Sequence, residues 1–244
     1  MCIVGGTFGW PARIARCALV ALLLVDDLKR AAAEAAVAEV RAGMIVGLGT
    51  GTTAAFAVDA IARRVAEGLD IRAVATSDRT EAHARAAGIA VLPFDDIAEI
   101  DLCIDGVDAI DNRLRAIKGA GGAMLREKIV ASAAHRMIAI ADESKAVEPL
   151  GGRPVPVEIL PLARAFVGAR IVALGGDPVL RASARTDQGN IILDCDFARL
   201  DDPAALAAQL SAIPGVLGHG LFVSEIDALY LGTASGVVFR DRPG

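Results

Sequence analysis

At 244 residues the chain is long enough to bury a substantial core, as one domain or as one with a smaller companion. Hydrophobic residues make up 54 % but aromatics only 4 %, so Ala, Val, Leu and Ile supply the apolar mass, a mix suited to helices packed on a buried sheet. The net charge of −5, with acids and bases interspersed, offers no basic stripe to neutralise phosphates, which excludes nucleic acid as an expected partner.

The N-terminal stretch "MCIVGGTFGWPARIARCALVALLLVDD" sets Arg13 and Arg16 before the apolar run Cys17 to Val25, the outline of a weak signal peptide. The run is far too short to span a bilayer and no small-residue cleavage site follows it. Residues 1–25 are therefore expected to be an extension outside the fold, and no membrane is expected as a partner. Asp26 or Asp27 caps a helix over about 27–42, stopped by Gly43. Then follow the apolar run "MIVGLG", a helix in "TTAAFAVDAIARRVAEG", the β-branched run "DIRAVATS" and a helix in "DRTEAHARAAG". Strands are expected in "IAVLPFDDI" and "EIDLCIDGVD", a helix in "AGGAMLREKIVASAA" and a strand in "RMIAIADESK". This alternation predicts a Rossmann-like, mostly parallel sheet with helices on both faces, the α/β class.

Prolines at 149, 154, 156 and 161 mark a boundary. Beyond it come a helix in "PLARAFVGARIVALGG", strands at "PVLRAS" and "RTDQGNIILDCDF" with a turn at 187–189, a helix in "DDPAALAAQLSAI" and a strand in "GVLGHGLFVSEI". They predict a small α+β domain over 153–228, and the hairpin pattern "ALYLGTASGVVFRD" predicts that 229–244 return to the catalytic domain of 26–152.

Three segments can carry chemistry. In "VGLGTGTTAAF" the glycines at 47, 49 and 51 and the threonines at 50, 52 and 53 join a strand to a helix; the loop either holds an anion on its amides and hydroxyls or is a structural turn. It lacks the third glycine of a dinucleotide fingerprint and the lysine of a P-loop. "ATSDRT" reads as a helix cap, yet it shares a strand's carboxyl end with 49–53 and 105–108, where ligands bind in open parallel sheets. In "DGVDAIDNRLRAIKGAGGAMLREKIV", Asp105 and Asp108 end a strand, Lys118 precedes a glycine turn, and Glu127 shares a helix face with Ala123, Val130, Ala131 and Ala134. Such a glutamate is either a desolvated base of raised pKa or half of a local ion pair with Arg126 or Lys128. Asp111 reads as a solvated turn residue, and Cys103 as a small buried thiol. Cysteines at 2, 17, 103 and 195 form no CxxC pair, and with only three histidines no metal site is expected.

Taken together, "LKRAAAEAAV", "IVGLGTGTTAAFAVDAI", "TSDRT", "IDGVDAID", "IKGAGGAMLREKIVA", "IADESK", "PVPVEILPLA", "TDQGNIILD" and "IPGVLGHGLF" resemble the type A ribose-5-phosphate isomerases, in the family's order from about residue 27 to the end. The resemblance implies a cofactor-free aldose–ketose isomerase of the cytoplasm, a homodimer or homotetramer, whose partner is a small sugar phosphate. It implies Glu127 as general base, with Asp105, Lys118 and Asp108 also catalytic. It further implies substrate contacts from Thr50, Gly51, Thr52 and Thr53, from Asp105, Gly106, Val107 and Asp108, from Lys118, Gly119, Ala120 and Gly121, and from Lys145 and Lys29. The small domain would be ferredoxin-like.

Two positions depart from the family pattern. Ala109 stands where the family reads DGADE, and Ala120 stands in a run otherwise richer in glycine, where a positive φ would strain alanine. These departures leave a catalytically weakened sugar-phosphate-binding protein or sensor as the alternative. A CoA transferase, with glutamate as nucleophile, is disfavoured by the shorter chain and the ordered isomerase segments.

Overall fold

A computed structural model describes the backbone of residues 10–23 and the backbone and side chains of 24–182 and 185–242. In chain order the elements are α1 (Trp10–Val37), β1 (Ile45–Leu48), α2 (Thr52–Ala66), β2 (Arg72–Ala75), α3 (Asp78–Ala86), β3 (Leu102–Gly106), β4 (Ala109–Ile110), β5 (Ala116–Ile117), α4 (Met124–Ser132) and β6 (Met137–Asp142). They continue with β7 (Val155–Ile159), α5 (Arg164–Ala173), β8 (Gly176–Leu180), β9 (Ile191–Phe197), α6 (Pro203–Ser211), β10 (Val216–His219), β11 (Leu221–Phe222), β12 (Ala228–Thr233) and β13 (Gly236–Asp241).

Six strands form a sheet in the order β13-β12-β6-β3-β1-β2, parallel throughout except for the antiparallel edge strand β13. The β12–β13 hairpin lies at the edge of this sheet, with β12 parallel to β6. Its central strands are buried on both faces, as a continuous apolar run such as "MIAIAD" dictates. Ala32, Ala33 and Ala36 of α1 pack with Val58 and Ile61 of α2 over one face, while Val130 and Ala131 of α4 pack with Phe222 over the other. Strand order reverses at β1, which has β2 on one side and β3 on the other, so the loops leaving β1 and β3 diverge and open a crevice at their carboxyl ends.

A second sheet, β10-β7-β9-β8, is antiparallel and carries α5 and α6 on its own apolar cluster. A small third sheet, β11-β5-β4, links the two.

Several elements differ from the sequence expectation. Helix α1 starts at Trp10 and ends at Val37, so it runs through the segment expected to lie outside the fold; residues 1–9 lie outside the described residues. "IAVLPFDDI" forms only a bridge between Val91 and Ala73, with Ala73 N donating to Ala90 O at 2.9 Å and Leu92 N to Ala73 O at 2.8 Å. "PVPVEI", read as a boundary, contains β7, the central strand of the second sheet. Pro156 is tolerated there because its carbonyl accepts from Gly220 N at 2.8 Å on the β10 side, just past the last β10 pair, Val157 with His219. Its missing donor thus removes no bond to β9. "GVLGHGLFVSEI" breaks at Gly220 into β10 and β11, which join different sheets. Asp111 is buried, not solvated: it accepts from the amides of Arg113 and Arg115 at 2.9 Å and from Arg115 Nε at 2.7 Å, closing the β4–β5 turn. Among the described residues no helix is long and apolar enough to cross a membrane.

Helix α1 is seated on the sheet at Gly232, where an added Cβ would lie 2.1 Å from the carbonyl oxygen of Leu28. Gly232→Ala is expected to destabilise the protein by about 1–3 kcal/mol, read as a lowered midpoint of thermal unfolding. An unchanged midpoint would show that α1 is not held there.

Candidate active site

Three strand ends converge. The loop after β1 carries Thr50 to Thr53 into the first turn of α2, the β2–α3 connection carries Thr76 to Thr80, and β3 ends with Asp105 and Gly106. Gly49 allows this approach, since a Cβ there would lie 2.1 Å from Asp105 Oδ1 and 2.5 Å from its Cα. The amides of Thr50 and Gly106 donate to Asp105 Oδ1 at 3.0 and 2.7 Å, which fixes the carboxylate beneath the loop. Gly51, at φ 112, is the N-cap of α2 and offers no side chain, so the first amides of that helix, beside Thr52 and Thr53, receive no side-chain cap.

Lys118 is the centre of the site. Its side chain is buried to 2 % exposure between two carboxylates, with Nζ 2.8 Å from Asp105 Oδ2 and 3.3 Å from Glu127 Oε2. Nζ also donates to the carbonyl of Gly106 at 2.5 Å. The fully buried ring of Phe222 closes one side, its centroid 5.4 Å from Lys118 Nζ and 4.1 Å from Lys128 Nζ. Glu127 leaves the local alternative unused: Arg126 pairs with Asp78 at 2.6 Å and Lys128 with Glu225 at 2.7 Å, while Glu127 turns to the apolar side of α4 and meets Lys118.

One ammonium cannot neutralise two buried carboxylates. Burial pushes the Glu127 carboxyl up to about 8, with Lys118 drawing it down and the Asp105 charge adding to the rise. Burial also raises Asp105, opposed by Lys118 and by the amides of Gly106 and Thr50. Burial alone would lower Lys118, but Asp105 and Glu127 outweigh it and hold the lysine above its ordinary value, as a cation. Asp105 Oδ2 and Glu127 Oε2 lie at ion-pair distance from Nζ without hydrogen-bond alignment. Asp105 has its second oxygen anchored by two amides, so Glu127 is the group more readily protonated.

These groups border a cavity of about 260 Å³. Thr50 to Thr53, Gly106 to Asp108, Lys118 to Gly121, Glu127 and Lys145 all line it. The sequence-predicted set is thus brought together except for two residues. Asp105 lies fully buried behind Lys118, and Lys29 lies outside the lining with Nζ 3.1 Å from Asp26. Arg79 also lines the cavity, and sequence reasoning missed it because "TSDRT" reads as a cap. The cap is real: Ser77 Oγ accepts from Thr80 N at 3.1 Å, and the Thr50 hydroxyl lies 2.8 Å from those of both Thr76 and Ser77, engaged below the loop. The position of Arg79 in the first turn of a helix beginning at a strand's carboxyl end was the available signal.

The two departures resolve in the backbone and the core. Among the described residues Leu114 alone has a positive φ without being glycine, so Ala120 is unstrained; Gly119 at φ 101 and Gly122 at φ 81 take the left-handed positions. Ala109 is fully buried with Ile117, Val155 and Val157 in the second sheet's apolar cluster, where its methyl needs no polar partner. Cys103 is a buried free thiol pushed well above its ordinary pKa by burial, as befits a packing residue.

Residues 72–236 match the family described as ribose 5-phosphate isomerase A (phosphoriboisomerase A). The chain is 50 % identical over 218 residues to ribose-5-phosphate isomerase A of Sphingopyxis alaskensis, covering 88 % of this chain and 96 % of that one. To the protein of the same name from Haloarcula marismortui it is 47 % identical over 221 residues, covering 88 % and 96 %. Its fold is similar to the crystal structure of ribose 5-phosphate isomerase A from Neisseria gonorrhoeae, with a TM-score of 0.86, 38 % identity and coverage of 90 % and 98 %. It is similar also to a D-ribose-5-phosphate isomerase solved in complex with phospho-erythronic acid, with a TM-score of 0.87, 33 % identity and coverage of 89 % and 99 %. By sequence over most of its length, and by fold, the chain belongs to the ribose 5-phosphate isomerase A family.

Proposed function

We propose that the chain interconverts D-ribose 5-phosphate and D-ribulose 5-phosphate, an aldose–ketose isomerisation of the non-oxidative pentose phosphate pathway that proceeds through an enediol(ate). The observation that carries this reading is the buried Lys118 shared by Asp105 and Glu127 at the edge of a cavity, with Glu127 pushed up to about 8. Isomerisation requires a base that takes the proton from C2 of the open-chain aldose and returns it to C1. It also requires a fixed positive charge where the sugar oxygens become negative. Glu127 fills the first role and Lys118 the second. Asp105 keeps Lys118 charged and in place, and Asp108, which lines the cavity, can take the proton of the anomeric hydroxyl as the ring opens and pass it to the ring oxygen. A sugar-phosphate sensor would gain nothing from a desolvated carboxylate beside a buried ammonium.

The phosphate is assigned to the uncapped first amides of α2 with Thr52, Thr53 and Lys145, and Arg79 adds a second cation to the lining. Lys29 is not among the lining residues and is paired with Asp26. The two sheets support a division into a catalytic unit, 26–152 with 229–244, and a small ferredoxin-like unit, 153–228, with 10–25 extending the first helix. The buried free thiols Cys103 and Cys195 suit a reducing cytoplasm. The exposed apolar residues Leu162, Phe166 and Val172 of the small unit, and Val237 to Phe239 on the edge strand, provide surface that a homodimer or homotetramer would cover.

Glu127→Gln should lower kcat for ribose 5-phosphate by about 10³-fold or more while the sugar phosphate still binds; near-wild-type turnover would sink the assignment of the base. Because the base acts deprotonated, log(kcat/KM) should fall with unit slope as pH drops below about 8, the value to which burial raises Glu127. A limb near the ordinary carboxyl value would mean that Glu127 is not the titrating base.

The same carboxyl affects stability. Its folded-state pKa of about 8 lies above the ordinary 4.5, so the folded protein holds a proton that the unfolded chain has released. Wild-type stability therefore declines as pH rises from about 4.5 to 8, and the glutamine variant escapes this loss. Thermal unfolding across that window should show the variant gaining on wild type as pH rises; a constant difference would contradict the raised pKa.

A further inference from the structure

The loop Lys118 to Gly121 contributes to the cavity, yet it is held from the second sheet. Arg181 follows β8, and its amide donates to Ile192 O of β9 at 3.0 Å. Its guanidinium grips Asp194 of β9 in a fork, with Nε 2.8 Å from Oδ2 and Nη2 2.5 Å from Oδ1. The fork leaves Nη1 pointing away from β9, where it donates to the carbonyls of Gly119 at 3.0 Å and Ala120 at 3.2 Å.

The Gly119 carbonyl and the Ala120 amide belong to one peptide group. That amide donates to Asp108 Oδ2 at 2.9 Å. The peptide is therefore held at both ends, by an aspartate that lines the cavity and by an arginine of the small unit. Gly119, at φ 101, has no preference of its own that would keep the plane in place. The Asp108 bond is open to water and weak when alone. Were the plane to turn over, Asp108 would lose its donor and a carbonyl dipole would face the cavity, where it would repel an anionic sugar.

We propose that Arg181 is a positioning residue for substrate binding, holding the Gly119–Ala120 peptide with its N–H on Asp108 and its carbonyl turned from the sugar phosphate. The assignment rests on the isomerase reading above. Arginine is required because only a fork can engage Asp194 with two nitrogens and spare a third for the loop, whereas a lysine supplies a single point.

The test compares Arg181→Ala and Arg181→Lys with wild type, recording kcat, KM, thermal unfolding and calorimetric binding of phospho-erythronic acid as a non-reacting probe. Both variants should raise KM for ribose 5-phosphate and the Kd of the probe by about tenfold. The pH limb of kcat/KM should stay where it is in wild type, and the unfolding midpoint should stay within a few degrees. In a cycle with Asp108→Ala, the two losses should combine to at least threefold less than their product, because both residues hold the same peptide. Wild-type KM and Kd in Arg181→Lys, or independent losses in the cycle, would overturn the proposal. Turnover surviving in Glu127→Gln would instead sink the isomerase assignment of the base, a result that probe binding in the Arg181 variants does not depend on.

Discussion

A single buried ammonium shared by two carboxylates governs the architecture of the site. Lys118 lies between Asp105 and Glu127 with almost no access to water, and the charges do not balance. In a region of low dielectric the excess negative charge is relieved by proton uptake, and it falls on the carboxylate with fewer donors. Asp105 is fixed by the amides of Thr50 and Gly106, which leaves Glu127 poised between protonation states. The arrangement costs stability and yields a base near neutral pH, with a fixed cation beside it.

Much of the surrounding chain serves to bring those groups together. Gly49 lets the loop after β1 settle onto Asp105, and Gly220 lets the strand from the second sheet pass Lys118, whose carbonyl would lie 2.1 Å from an added Cβ. Lys118 N in turn donates to Gly220 O at 2.8 Å, so the lysine's backbone is tied to the junction between β10 and β11. That junction also delivers Phe222, whose ring lies against both ammoniums, Lys118 of the site and Lys128, which pairs with Glu225.

The small unit acts on the site through polar contacts. Arg181 reaches the Gly119 and Ala120 carbonyls, and Asp187 accepts from the amide of Asp78 at 2.9 Å and lies 3.4 Å from Arg126. The segment bearing Asp187 is itself anchored by the buried Glu158, which accepts from Thr186 at 2.8 Å and Asn190 at 2.9 Å. Both walls of the crevice are thus braced from β7, β8 and β9, although the proposed catalytic groups all come from the first unit.

Periodicity and turn chemistry in the sequence determined the parallel sheet, its returning hairpin and the three loops at its carboxyl edge, because these follow from local apolar patterns and glycine placement. The ordered motifs singled out Asp105, Lys118 and Glu127. What remained open was whether Glu127 pairs with its neighbours or with Lys118, since a helix face does not reveal what lies opposite it; packing decided that. Tertiary structure alone revealed β7 despite Pro156, buried Asp111, placed Arg79 on the cavity and Lys29 beside Asp26, and joined Arg181 to a peptide 61 residues away. Each depends on contacts between segments remote in the chain, whose energies come from burial and charge pairing that no local pattern encodes.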